Sequence, residues 1–212
     1  MNAAKQTAFV ATTAIFALTW ISPIWPRDQA LHSTLTVVGL AWLAAHDRRW
    51  PMRLGDFVAV CAFIALHCIA ARWLYSNVPY DAFARTVFGW SPQTAFGWHR
   101  NHFDRLIHAA YGLSFTAALA SHARQRWPLT SGQAFALAVL AIMATSLIYE
   151  WLEWAIALTL SPASAEAYNG QQGDPWDAHM DMLLATLGAL ASWFWRPRGA
   201  PLRSAQAVPA HD

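Results

Sequence analysis

The sequence predicts an all-α protein: an integral membrane bundle of about six transmembrane helices, with both the N and C termini in the cytoplasm. Three observations lead there. The composition is 56% hydrophobic and only 12% charged, against roughly a quarter charged in a soluble domain. Several apolar runs approach the ~20 residues that a bilayer-crossing helix needs. Lysine and arginine also fall unevenly on alternate connections, as in multi-span proteins oriented by positive charge. The expected organisation is one transmembrane domain, residues 1–196, followed by a disordered cytoplasmic tail, residues 197–212, rich in Pro, Ala and Arg.

The first apolar run, residues 6–25, follows Lys5. It is too long for a signal-peptide core and no small-x-small cleavage site follows it, so it is expected to remain as an uncleaved first span. Pro23 and Pro26, with Arg27 and Asp28, are expected to end it. The second run, 30–45, is short and interrupted by His32 and Gly39. A basic turn over 46–53 then carries Arg48, Arg49 and Arg53. The third run, 56–75, holds Cys61 and Cys68. Seven residues make two helical turns, about 10 Å of rise, which is too far for a disulfide, so both thiols read as small buried hydrophobes.

The longest connector, 76–102, contains Pro79, Gly89, Pro92 and Gly97. Its Phe83, Val87, Phe88 and Trp90 suit a short helix lying along the membrane interface. The fourth run is 103–121, the fifth 133–160 and the sixth 178–195. Gly112, Ala185 and Gly188 are small enough to let helices approach closely. With six spans, Lys5, Arg48, Arg49, Arg53, Arg124, Arg126, Arg196, Arg198 and Arg203 fall on one side. The thinner set of Arg27, Arg72, Arg85, Arg100 and Arg105 falls on the other. That asymmetry assigns the first side to the cytoplasm. No basic run or recognition motif is present, which excludes nucleic acid as a partner.

Only 12 Asp and Glu occur in the chain, yet they cluster. Asp104 and His108 lie at the start of the fourth run, Glu150 and Glu153 in the second half of the fifth, and Asp177 and Asp181 at the start of the sixth. The expected topology places all three pairs at similar depth near the outer face. Each pair is spaced i,i+3 or i,i+4, so both members share a helix face. Ionisable groups inside a bilayer are costly unless paired or hydrated, and crowded carboxylates repel. A cation relieves both problems. Carboxylates with one imidazole suit a divalent metal ion such as Zn, Mn, Mg or Fe, and helical bundles hold such ions on inward-facing i,i+3 pairs.

Plainer readings accompany each piece. Asp174 and Asp177 suit a helix N-terminus. Asp104 has Arg105, Arg100 and Arg72 as ion-pair partners within reach. Glu150 and Glu153 would be solvated if the fifth helix stopped near 149. His67 reads as a satisfied core histidine; His99, His102 and His179 flank the site as ligands or proton shuttles. Arg100 and Arg105 either hold an anionic headgroup or snorkel to the interface.

The segments Arg100-Asn101-His102-Phe103-Asp104-Arg105-Leu106-Ile107-His108, Glu150-Trp151-Leu152-Glu153-Trp154 and Gln171-Gln172-Gly173-Asp174-Pro175-Trp176-Asp177-Ala178-His179-Met180-Asp181-Met182 resemble the YjdF-like family of bacterial inner-membrane proteins. A looser similarity extends to the VanZ-like group. The resemblance implies a multi-pass inner-membrane protein whose polar pattern includes Asp104, His108, Glu150, Glu153, Asp174, Asp177 and Asp181. It implies no activity. Where the family usually has Gln, this chain has Tyr111 and His179.

Two functions compete. The first is a metal-dependent hydrolase acting on membrane lipids or a lipid-linked small-molecule substrate. Asp104, His108, Glu150, Glu153, Asp177 and Asp181 would bind metal, Glu153 or Asp174 would act as general base, and Arg100 or Arg105 would neutralise phosphate. The second is a non-catalytic envelope-lipid sensor or a cation/proton transporter using the same acidic cluster. Apolar inner halves of the last three spans (residues 113–120, 135–143 and 183–191) count against a through-path.

Overall fold

The computed structural model describes residues 1–195. The tail 197–212, its expected disorder, and the cations Arg196, Arg198 and Arg203 lie outside the described residues. The regular elements of the described residues are all helices: α1 (Ala3–Thr19), α2 (Pro26–Arg49), α3 (Leu54–Arg72), α4 (Tyr80–Phe88), α5 (Pro92–Phe96), α6 (Phe103–Arg126), α7 (Ser131–Ala157), α8 (Pro162–Asn169) and α9 (Asp177–Trp195). The six long helices α1, α2, α3, α6, α7 and α9 coincide with the six apolar runs. Two of them, α3 and α7, are long and apolar enough by length and composition to cross a membrane.

Helix boundaries depart from the runs where backbone chemistry decides. α1 stops at Thr19 rather than residue 25, because Ser22 takes a left-handed φ of 48°. Pro26 does not end α1; it sits in the first turn of α2, where its missing N–H removes no helical bond. α2 therefore runs to 24 residues. α3 ends at Arg72, just before the left-handed Leu74 and Tyr75. α6 continues past 121 to Arg126. α7 opens on a capping box, Thr130 with Gln133. It then passes through Glu150 and Glu153 unbroken, so neither glutamate lies at a frayed helix end. The 161–179 loop contains α8, which the apolar pattern did not predict. Its signals are local: Ser161 caps it, a proline occupies its first turn and Gly170 closes it at φ 66°.

α3 and α6 pack at the centre; α1 and α2 lie on α3, while α7 and α9 lie on α6. Leu40, Leu43, Phe57, Val60, Ile64 and Cys68 fill the α2–α3 side. Both cysteines are free and buried, as expected. The α6–α9 contact is backbone against backbone. A β-carbon on Gly112 would lie 1.9 Å from the Ala185 carbonyl oxygen, and one on Gly188 would lie 2.1 Å from that of Ala109. Glycine alone permits this approach.

The basic turns gather at one end. Lys5, itself buried, donates to Asp47 at 2.6 Å and to the Met52 carbonyl at 2.5 Å. His46, Trp50 and His122 pack together, with the Arg126 guanidinium 5.6 Å from the Trp50 ring. At the opposite end Arg72 donates to the carbonyl oxygens of Thr19, Ile21 and Ser22, which ties the α1–α2 turn to α3. The connector at that end folds into α4 and α5. Asp81 locks them together by accepting from the Gln93 N–H, the Ser91 hydroxyl and Arg85. These three bonds, the Gln93 N–H foremost, hold its carboxyl below the ordinary carboxylate range. Phe83, Val87, Phe88, Trp90 and Phe96 remain exposed around this short-helix pair.

Candidate functional site

Helix α6 begins at Phe103, so Asp104 falls in its first turn and His108 one turn deeper on the same face. Helix α9 begins at Asp177, and Asp181 follows one turn deeper. The glycine contact at Gly112 and Gly188 then draws these two faces together. His108 Nε2 lies 3.6 Å from Asp104 Oδ1 and 3.9 Å from Asp181 Oδ2. One ligand atom from each of the three residues falls within 4.8 Å of the others, and all three residues are buried. Ligands ~2.0–2.2 Å from a shared ion stand about 3–4 Å apart, so the triad needs little movement to enclose one.

Helix α7 closes the third side. Glu150 is buried and interacts electrostatically with Asp181, Asp104 and Asp177. Glu153, half-buried, interacts with Glu150, Asp104 and Asp181. Two buried carboxylate oxygens, Asp181 Oδ1 and Glu150 Oε1, have no hydrogen-bond partner. Buried polar atoms are nearly always partnered, and exceptions point to an ion or water.

Above the triad lies a clasp of opposite charges. Arg100 donates to Asp177 at 2.6 Å and to Asp174 at 3.2 Å. Arg105 donates to Asp174 and lies 3.8 Å from Asp177. Asn101 and Gln172 bond reciprocally, backbone N–H to side-chain oxygen and side-chain amide to backbone oxygen. The end of the connector is thereby fastened to the 171–177 loop. Asp174 also accepts from the Trp176 N–H at 2.9 Å. That bond, ahead of the Arg105 and Arg100 charges, holds the Asp174 carboxyl below its ordinary range. His102 lies 3.3 Å from Arg105; burial first, then the two guanidinium charges, push its pKa down. Arg100 keeps buried Nε and Nη2 donors without partners, and Arg105 a buried Nε.

The predicted site residues thus fall into three groups. Asp104, His108 and Asp181 form the tight cluster, with Glu150 and Glu153 beside it on α7. Asp174 and Asp177 turn to Arg100 and Arg105, which face inward rather than snorkelling. Arg72 is spent on backbone carbonyls, so it is not the partner of Asp104. His99 and His179 are exposed. His67 is a satisfied core histidine, bonded to the Tyr75 hydroxyl at 2.5 Å and facing the His32 carbonyl at 3.3 Å. The apolar pattern did not single out Tyr149, whose ring stands 6.0 Å from that of His108. It also passed over His32, stacked on Tyr168 with both ring nitrogens buried and unpartnered. The Asn101–Gln172 bond pair was missed as well. Its one sequence signal is the pair of amides at Gln171 and Gln172, directly before the Gly-Asp turn.

The family described as "Predicted membrane protein (DUF2238)" matches residues 4–198. The chain belongs to this family. The match runs from α1 through the end of α9, so the whole acidic cluster lies within the DUF2238 region. A curated relative, "Inner membrane protein YjdF" of Escherichia coli (strain K12), is 29% identical over 190 residues, which is 88% of this chain and 86% of that protein. The YjdF-like resemblance read from the three polar segments is thereby shown. No solved structure matches the chain.

Proposed function

We propose that this DUF2238 membrane protein is a metal-dependent hydrolase of a lipid or lipid-linked phosphoryl substrate. In this reading it crosses the inner membrane six times, with both termini cytoplasmic and its centre near the outer face. The observation that carries the proposal is the buried Asp104–His108–Asp181 cluster, beside two partnerless carboxylate oxygens and two arginines with spare buried N–H donors.

Asp104, His108 and Asp181 would hold a divalent ion, with Glu150 beside them as a further ligand. When bound there, such an ion would supply Lewis-acid polarisation of a phosphoryl oxygen and lower the pKa of nearby water. Glu153, half-buried and adjacent, would take the proton from the attacking water as general base. Asp174 and Asp177 orient the guanidinium groups of Arg100 and Arg105, whose free edges neutralise the phosphate. The membrane placement is supported by the inner-membrane name of the YjdF relative, the apolar α3 and α7, and the gathering of Lys5 and the basic turns at one end.

The test is metal-dependent phosphate release from phosphatidate, lysophosphatidate and polyprenyl phosphate in mixed micelles. Glu153→Gln is expected to lower kcat by about 100-fold, the size of a general-base contribution, at unchanged metal content. If wild-type protein loaded with Zn, Mn, Mg or Fe releases phosphate from none of these, the hydrolase reading is overturned.

A further inference from the structure

Beside the metal cluster the bundle encloses a cavity of about 290 Å³, bounded by α2, α3, α6 and α7. Its two ends differ in chemistry. One end presents His108, Tyr149, Ser146 and Tyr75; the other presents Val60, Phe63, Ile64 and Phe115. The Ser146 hydroxyl is buried and unpartnered among the described residues, so the polar end carries a donor that none of them satisfies. His108 belongs both to the cavity wall and to the Asp104–His108–Asp181 cluster, so the two sites share one side chain.

The cavity also has a side entrance. α2 packs on α3, and α7 packs on α6, but α2 and α7 share no extensive packing with each other among the described residues. Leu35 and Trp42 of α2 and Thr145 of α7 stand exposed where these helices diverge, and all three line the cavity. In a membrane protein that opening faces hydrocarbon, so whatever fills the cavity enters from the lipid phase. The volume lies at the lower edge of the ~300–1,000 Å³ usual for small-molecule sites, room for a segment of one hydrocarbon chain and not for a two-chain lipid body.

We infer that this cavity binds a single acyl chain of a membrane lipid, entering between α2 and α7, with its polar end at His108. The inference rests on the hydrolase reading only for what happens at that polar end; the chain site stands on the cavity itself. It narrows the substrate to a single-chain amphiphile, or to one chain of a larger lipid that splays away from its neighbour.

The experiment is photolabelling of the full chain in nanodiscs with palmitic acid carrying a mid-chain diazirine, followed by peptide mapping. Label is expected on the cavity-facing residues of α2, α3, α6 and α7. Gly39 lines the cavity with only Ile64 near its missing β-carbon, at 3.8 Å, so Gly39→Phe extends into the space. Displacing about two methylenes is expected to cut labelling about tenfold. Thr145→Trp, at an exposed rim position, blocks the mouth from the other side at the loss of the Thr145–Tyr111 hydroxyl bond, and should give a similar loss of labelling. Labelling that stays at the wild-type level in both variants, or that maps to outward faces, overturns the inference. Cavity labelling in a protein that binds no metal supports the chain site and overturns the hydrolase reading instead.

Discussion

Gly112→Ala tests how the helix spacing creates the site. In a helix the substitution alone favours folding by ~1 kcal/mol. Here the added β-carbon would meet the Ala185 carbonyl oxygen at 1.9 Å, where real β-carbons essentially never come within 3.0 Å. Backbone cannot swing aside as a side chain can, so α6 and α9 must separate by about 1 Å or more. Overpacking of this kind costs ~1–3 kcal/mol, which leaves a net destabilisation of up to about 2 kcal/mol. The larger consequence is at the site one turn away. His108 Nε2 and Asp181 Oδ2 are 3.9 Å apart; at about 5 Å they exceed twice the ~2.0–2.2 Å reach of a bound ion. Gly132→Ala is the matched control, because nothing lies within 4 Å of its β-carbon position. Thermal unfolding in detergent with and without added Mn or Zn reads both effects. The metal-induced shift should vanish in Gly112→Ala and persist in Gly132→Ala. A Gly112→Ala protein with wild-type stability and a wild-type metal shift would refute the spacing argument.

Other perturbations follow from the same geometry. Asp47→Ala strips the buried Lys5 of its carboxylate and the Met52 N–H of its acceptor. Breaking a buried pair costs about 3–5 kcal/mol, so thermal unfolding should shift down strongly, and an unchanged midpoint would contradict the pairing. The Asp174 carboxyl titrates below its ordinary value of 3.8 when folded, so its contribution is complete above that pH and disappears as pH falls through the lower folded value. Hydrogen exchange over residues 171–177 should therefore accelerate only below about pH 3.8, and Asp174→Asn should make it fast and flat across that range. A wild-type loop that opens between pH 5 and pH 7, where Asp174 stays ionised in either state, would show that another group holds the clasp. Asp81→Ala frees the Gln93 N–H, the Ser91 hydroxyl and Arg85 together, so proteolysis should begin within residues 76–102 before the long helices are cut.

Much of the site was readable from residue spacing alone. Asp104 with His108 and Asp177 with Asp181 are each one turn apart, and a chain that reverses at every connection brings such pairs to one end. The apolar surroundings of Glu150 and Glu153, with Trp151 and Trp154, placed both inside a helix, and α7 runs through them. What spacing does not encode is which carboxylate meets which cation. Asp177 has the same sequence claim on the cluster as Asp181, yet Arg100 takes it, because the 171–177 loop is fastened to the connector by Gln172 and Asn101. Such choices depend on contacts between segments about 70 residues apart. Boundaries failed for a different reason: hydropathy does not register a left-handed Ser22, or a proline that starts a helix instead of stopping one. The cavity beside His108 is a shape made by four helices and has no signature in any one of them.

The metal centre is tested most directly by elemental analysis of detergent-purified wild type beside Asp181→Asn, with both confirmed folded by circular dichroism. A stoichiometric divalent ion is expected in the wild type and at least tenfold less in the variant, since losing even a group that only supports a ligand costs about 10–100-fold in affinity. A wild type devoid of metal after loading, or equal metal in both proteins, would contradict it.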